Sequence, residues 1–176
     1  MTFIRPLVFP ALLLAVSTAA FSQSAAWRTL RSGKISLKYP PAWHATNEPF
    51  HSGIRITLTP DSLKDMAIRA VEILEAPVKG DLDFTGFKAD FKTIIRSRTK
   101  DDTTQFTTMV KQIVFKGRET VYVEALEGGI PAKVYGINGG TVIYYITLLA
   151  RPQRGSNDRQ LGQDEEAILN SLVMAL

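Results

Sequence analysis

Between residues 105 and 150 four strand-like runs follow one another, QFTTMVKQIVF, RETVYVEALE, PAKVYGI and TVIYYITLLA. Each is rich in β-branched and aromatic side chains, which suit a pleated, half-buried surface. The separators are turn chemistry: Lys116-Gly117, Gly128-Gly129 and Asn138-Gly139. Connections this short join antiparallel neighbours only, because a parallel pair needs a crossover of a dozen residues or more. The segment is therefore expected to form an antiparallel meander. Asn138-Gly139 predicts a type I′ turn, with positive φ at both residues.

The N-terminal half supplies further strands. From Trp27 to Tyr39 the text reads as two short strands around Ser32-Gly33, and in the second Ile35, Leu37 and Tyr39 alternate with Lys34, Ser36 and Lys38. Such alternation buries one face and wets the other. GIRITLTP and MAIRAVEILEAP repeat the pattern before Pro60 and Pro77, where a missing N–H costs least. Between the two groups lies a helix, DLDFTGFKADFKTIIRSR. Its Phe84, Phe87, Phe91, Ile94 and Ile95 fall on one face about 100° wide, the stripe a helix lays on a sheet. Asp81, Asp83 and Asp90 come early and Lys92, Arg96 and Arg98 late, complementing the helix dipole.

LLARPQRGSNDRQLG reads as a polar loop. QDEEAILNSLVMAL then predicts a terminal helix with Asp164, Glu165 and Glu166 in its first turn and Ile168, Leu169, Leu172 and Val173 on one side. The expected class is α+β, a central antiparallel sheet of about six to eight strands flanked by helices.

The first residues carry Arg5, an apolar run from Leu7 to about Ala20 and small residues around Ala20-Phe21-Ser22, the pattern of a secretory signal peptide. Cleavage is expected after Ser22, leaving residues 23–176 as one exported domain, periplasmic or extracellular. The run is shorter than the roughly 20 apolar residues of a membrane span and is broken by Pro10, so no transmembrane segment is expected in the mature chain. The absence of cysteine excludes disulfides, thiolate catalysis and a lipid-bearing cysteine. Twenty-one Lys and Arg against 17 Asp and Glu is too small an excess, and too dispersed, to indicate nucleic acid.

Three separated features carry a family resemblance. ISLKYPPAW is similar to the opening of the PsbP-like group, a strand followed by Tyr-Pro and Trp; this group also takes in Mog1-like proteins and small bacterial exported proteins. IVFKGRETVYVEAL resembles its strand, Gly-centred turn, strand unit, here followed by the aromatic-rich TVIYYITLLA. DEEAILNSL resembles its closing helix. The resemblance implies an α/β/α sandwich around an antiparallel sheet, and a binding or accessory role without enzymatic activity.

Few residues offer chemistry. His44, Glu48 and His51 lie in HATNEPFH, and two imidazoles with a carboxylate are a possible divalent-metal set, although the spacing is not that of a helical pair and the plainer reading is a solvated loop. No Gly-x-Ser-x-Gly elbow is present, and Ser36, Ser62 and Ser97 sit in ordinary contexts. GGIPAKVYGINGG lacks the strand and helix that would make a phosphate cradle, so no organic cofactor is expected. Lys88, Lys92 and Arg96 recur every four residues, as either the wet flank of a helix or a contact for an anionic partner. Tyr144 and Tyr145 must face opposite sides of the sheet, so one of them is placed to line a cleft. The leading expectation is a non-enzymatic binding or accessory domain engaging an envelope protein or a small ligand. The alternative is a metal-dependent protein using His44, Glu48 and His51.

Overall fold

A computed structural model describes residues 26–62, 69–78, 82–99, 104–150 and 158–175. The expected signal peptide lies outside these residues, as do the 151–157 part of the expected polar loop and the first residues of the MAIRAVEILEAP run. Two helices and eleven strands are found among the described residues. The class is α+β and the sheet dominates it.

Strands β1 (Arg28–Ser32) and β2 (Ile35–Tyr39) form the expected hairpin, but they belong to a small sheet of their own. Its third strand, β11 (Val173–Met174), comes from the end of the chain and pairs antiparallel with β2. The large sheet takes β3 (Trp43–Phe50), β4 (Gly53–Pro60), β5 (Arg69–Pro77), β6 (Gln105–Phe106), β7 (Lys111–Phe115), β8 (Arg118–Glu127), β9 (Ile130–Asn138) and β10 (Val142–Ala150). Its order is β3-β4-β5-β10-β9-β8-β6, with β7 also on the outer side of β8. The pairings are antiparallel throughout, and β7 to β10 are the expected meander.

The turns refine the expectation. Positive φ at two successive residues occurs at Lys116-Gly117 and Gly128-Gly129, which close two-residue hairpins. Asn138-Gly139 does not make such a turn. Asn138 pairs with Ile143, its side-chain Oδ1 accepts the N–H of Gly140, and the positive φ falls on Gly140. The Asn side chain organises a longer loop in place of occupying a left-handed position.

Helix α1 (Phe84–Thr99) covers one face of the large sheet. Asp83 caps it: its carboxylate accepts the N–H of Thr85 at 3.1 Å, and its carbonyl accepts that of Phe87. Phe87, Phe91 and Ile95 are buried against Val121, Val123, Val134, Ile143 and Tyr145, while Phe84 and Ile94 border this layer. Gly136 of β9 makes the close approach possible, since a Cβ there would lie 2.6 Å from Phe91 and 2.8 Å from Phe87.

The opposite face carries α2 (Asp158–Ser171) together with the small sheet. Trp43, Ile56, Leu58, Ile73, Tyr144 and Ile146 form the core of this layer with Ile35 and Leu37 of β2 and with Ile168 and Leu172. One outer layer is thus a helix and the other a helix plus three strands, so the molecule is more sheet-rich than a simple α/β/α sandwich. α2 begins at Asp158, earlier than expected. Asp164, Glu165 and Glu166 consequently lie inside the helix, and Val173 is an exposed strand residue.

Candidate binding site

Each sheet face has a covered part and an open part, and the open parts hold the candidate sites. On the α1 face, the helix leaves bare the edge made by β3 and β4, where His44, Thr46, Glu48, Arg55 and Thr57 alternate with residues pointing to the other side. At one end of that edge a cleft of about 320 Å³ opens beside α1. Leu74 and Ala76 of β5 and Tyr145 of β10 line it from the sheet, the Phe50 to Gly53 turn forms one wall, and Ser97 of α1 stands on the other. The volume is at the small end of the range for sites that enclose a small molecule. Gly53 is required here, because any Cβ would collide with the backbone carbonyl of Glu75.

The tyrosine pair divides as the strand period demands. Tyr145 packs on Phe87 and Phe91, with ring centroids 6.0 and 6.5 Å away, and reaches the cleft. Tyr144 is fully buried on the α2 face, and its hydroxyl donates to the carbonyl of Ala175 at 3.2 Å. Burial raises its pKa, with Glu75 adding to the effect. Tyr144 is therefore part of the core and ties the end of the chain to it.

His44, Glu48 and His51 are not brought together. They stand on strand β3 and its turn instead of in a loop. His44 and Glu48 share a strand face but lie four residues, about 13 Å, apart. Glu48 pairs with Arg55 at 3.5 Å, and His51 sits in the turn at φ 53° with its ring edge-on to Phe50. No group of three or more His, Cys, Asp or Glu side chains among the described residues is arranged to hold a metal ion. His51, Glu75 and Ser97 all border the cleft, yet no hydrogen bond joins them: the Ser97 hydroxyl donates to Ile94 O, and the Glu75 carboxylate accepts the N–H of Lys34.

Lys88, Lys92 and Arg96 line the flank of α1 that overhangs the outer strands. Lys88 Nζ lies 3.5 Å from Gln112 Oε1, and the charged ends of Lys92 and Arg96 each lie 5.2 Å from the ring of Phe106. A second hollow of about 300 Å³, which no sequence pattern signalled, lies at the far end of β8 and β9 between Glu124, Lys133, Pro131 and Glu165. Nearby, Phe115, Tyr135 and Tyr122 form a row of touching rings. Burial, and then a hydrogen bond to the Glu124 carboxylate at 2.5 Å, pushes the Tyr122 hydroxyl far above its usual pKa.

No family model matches the chain, and no curated protein matches it by sequence. Solved structures do match its shape. The solution structure of cyanobacterial PsbP from Synechocystis is similar with a TM-score of 0.59 at 9% identity, over 90% of this chain and 98% of that one. A Bacteroides thetaiotaomicron protein matches with a TM-score of 0.49 at 11% identity, over 85% of this chain and 48% of the other. A Pseudomonas aeruginosa protein of unknown function gives 0.41 at 14% identity. The chain has a PsbP-like fold.

Proposed function

We propose that this chain is an exported, non-enzymatic binding domain, an accessory to an envelope protein or a carrier of a small ligand. The observation that carries the reading is the cleft beside Tyr145, where an apolar lining from Leu74, Ala76 and Tyr145 meets a polar rim of His51, Ser52 and Ser97. Concave apolar sites with a few polar groups at the rim are the usual form of small-molecule sites. The N-terminal pattern of Arg5, apolar run and small residues supports export. No helix among the described residues is long and apolar enough to cross a membrane.

The test is native mass spectrometry of the protein purified from its source envelope, with wild type beside Ser97→Phe. The aromatic ring on an exposed helix position fills the cleft mouth without disturbing the core. A bound small molecule or partner that is present on wild type and lost from the variant is the expected result. A bare monomer in both, with no partner recovered by cross-linking, would overturn the reading.

A further inference from the structure

The outer edge of the large sheet is built like a receptor for another strand. β6 and β7 lie end to end along β8, joined through the N–H of Thr107, which donates to Glu124 O, and the hydroxyl of Thr108, which accepts the N–H of Glu124. Nothing among the described residues pairs with their other side. The two-residue turn at Lys116-Gly117 makes Phe115 and Arg118 a hydrogen-bonded pair, so by antiparallel alternation the N–H and C=O groups of Gln112 and Val114 point away from β8. Val114 is 74% exposed, and Met109, between the two strands, is 81% exposed.

A basic stripe on α1 also flanks this edge. Lys88, Lys92 and Arg96 run along α1 from above Gln112 to above Phe106, parallel to the open backbone, and Lys111 is exposed on β7 itself. By helical spacing Asp90 lies on the other flank of α1. Of the carboxylates on this face of β8, Glu127 stands at the far end and Glu119 lies across the ladder from Val114, on the side away from the open edge. A second copy of the chain docked edge to edge would bring lysine against lysine, a device that keeps sheet edges from self-pairing. A strand bearing carboxylates meets no such barrier.

We propose that the β6–β7 edge accepts an extended acidic segment of a partner protein by strand addition. The backbone of Gln112 and Val114 supplies the pairing, Val114 and Met109 the apolar contact, and Lys88, Lys92 and Arg96 the charge selection. The inference rests on the reading of the chain as a binding domain but uses the β6–β7 edge, whose strands do not line the cleft.

The probe is a labelled peptide of about ten residues alternating Glu and Val, the length of a long strand, followed by fluorescence anisotropy. Wild type should bind it, more weakly as salt rises, and should not bind a Lys-Val counterpart. Val114→Pro removes an outward donor while leaving the β7–β8 ladder intact, and should weaken binding about tenfold with an unchanged melting temperature. A backbone N-methylated Glu-Val peptide repeats the same loss from the other side. Charge reversal of Lys88, Lys92 and Arg96 to Glu should abolish binding of the Glu-Val peptide and admit the Lys-Val one, while Ser97→Phe should bind the acidic peptide like wild type. Equal affinity for the N-methylated and unmodified peptides would overturn the proposal, as would binding to phosphatidylglycerol vesicles with none to the peptide, or a concentration-dependent dimer of wild type.

Discussion

The indole N–H of Trp43 donates to the carboxylate of Asp164 at 3.1 Å, joining the first residue of β3 to the middle of α2 across 121 positions of sequence. The ring is fully buried between the large sheet and α2, and Gln160 holds the other carboxylate oxygen at 2.9 Å. Trp43→Phe should lower the unfolding free energy by about 2 kcal/mol, from lost volume and a lost charge-assisted bond. Asp164→Asn retains an acceptor and should cost about 1 kcal/mol or less. Urea unfolding followed by circular dichroism measures both, and equal losses would mean that the bond and not the packing dominates.

A second link from α2 is ionic. Arg69 Nε lies 2.6 Å from Glu165 Oε1, with side chains only 7% and 10% exposed. Removing one partner deprives a buried charge of this counter-ion, so Glu165→Gln should cost about 3 kcal/mol. The double variant Arg69→Met/Glu165→Leu should regain most of that loss. A double-mutant cycle on urea midpoints checks this, and a double variant as unstable as the single one would contradict it.

Gly136 sets the distance between α1 and the sheet. Gly136→Ala forces Phe91 and Phe87 outward and should cost about 1–3 kcal/mol by overpacking. Phe91→Leu made alone leaves a cavity, but combined with Gly136→Ala it should cost less than the two changes summed. Thermal melts of the four proteins measure that coupling.

Alkaline pH should destabilise the fold through its tyrosines. Burial raises the pKa of Tyr122, Tyr135 and Tyr144 above the model-compound value of 10.0, and Glu124 reinforces the first two. The folded state thus holds protons that the unfolded chain releases from about pH 10 upward. Stability from these groups is complete below pH about 10 and falls as pH rises beyond it. Urea midpoints across this range, with tyrosinate absorbance as the titration signal, should show the decline, and Tyr122→Phe should reduce it.

Much of the fold was legible because its signals are periodic. The Phe84 to Ile95 stripe, the β7–β10 meander and the opposed faces of Tyr144 and Tyr145 all follow from spacing alone. Strand β3 reads as a loop because it is an edge strand, with His44, Thr46, Asn47 and Glu48 exposed and Pro49 near its end. Gly162 and a polar run disguise the start of α2. Gly costs about 1 kcal/mol in a helix interior, but Leu161, Ile168 and Leu172 anchor this helix to the core. Asp164 and Glu165 looked like helix-start charges, and only the path of the chain shows that Trp43 and Arg69 await them. The cleft had one legible member, Tyr145. Its other walls come from the β3–β4 turn, β5 and α1, which no local pattern brings together.

The two-residue strand β11 has a consequence in time. Met174 pairs with Ile35, Ala175 donates to Lys34 O, and the Ser171 hydroxyl accepts the N–H of Lys38 and donates to its carbonyl across 133 positions. The first hairpin therefore gains its third strand only when residues 173–174 reach it. Contacts of such long range are slow to form. Closing so long a loop is costly, so docking of residues 171–175 against β2 is expected to be a late step of folding.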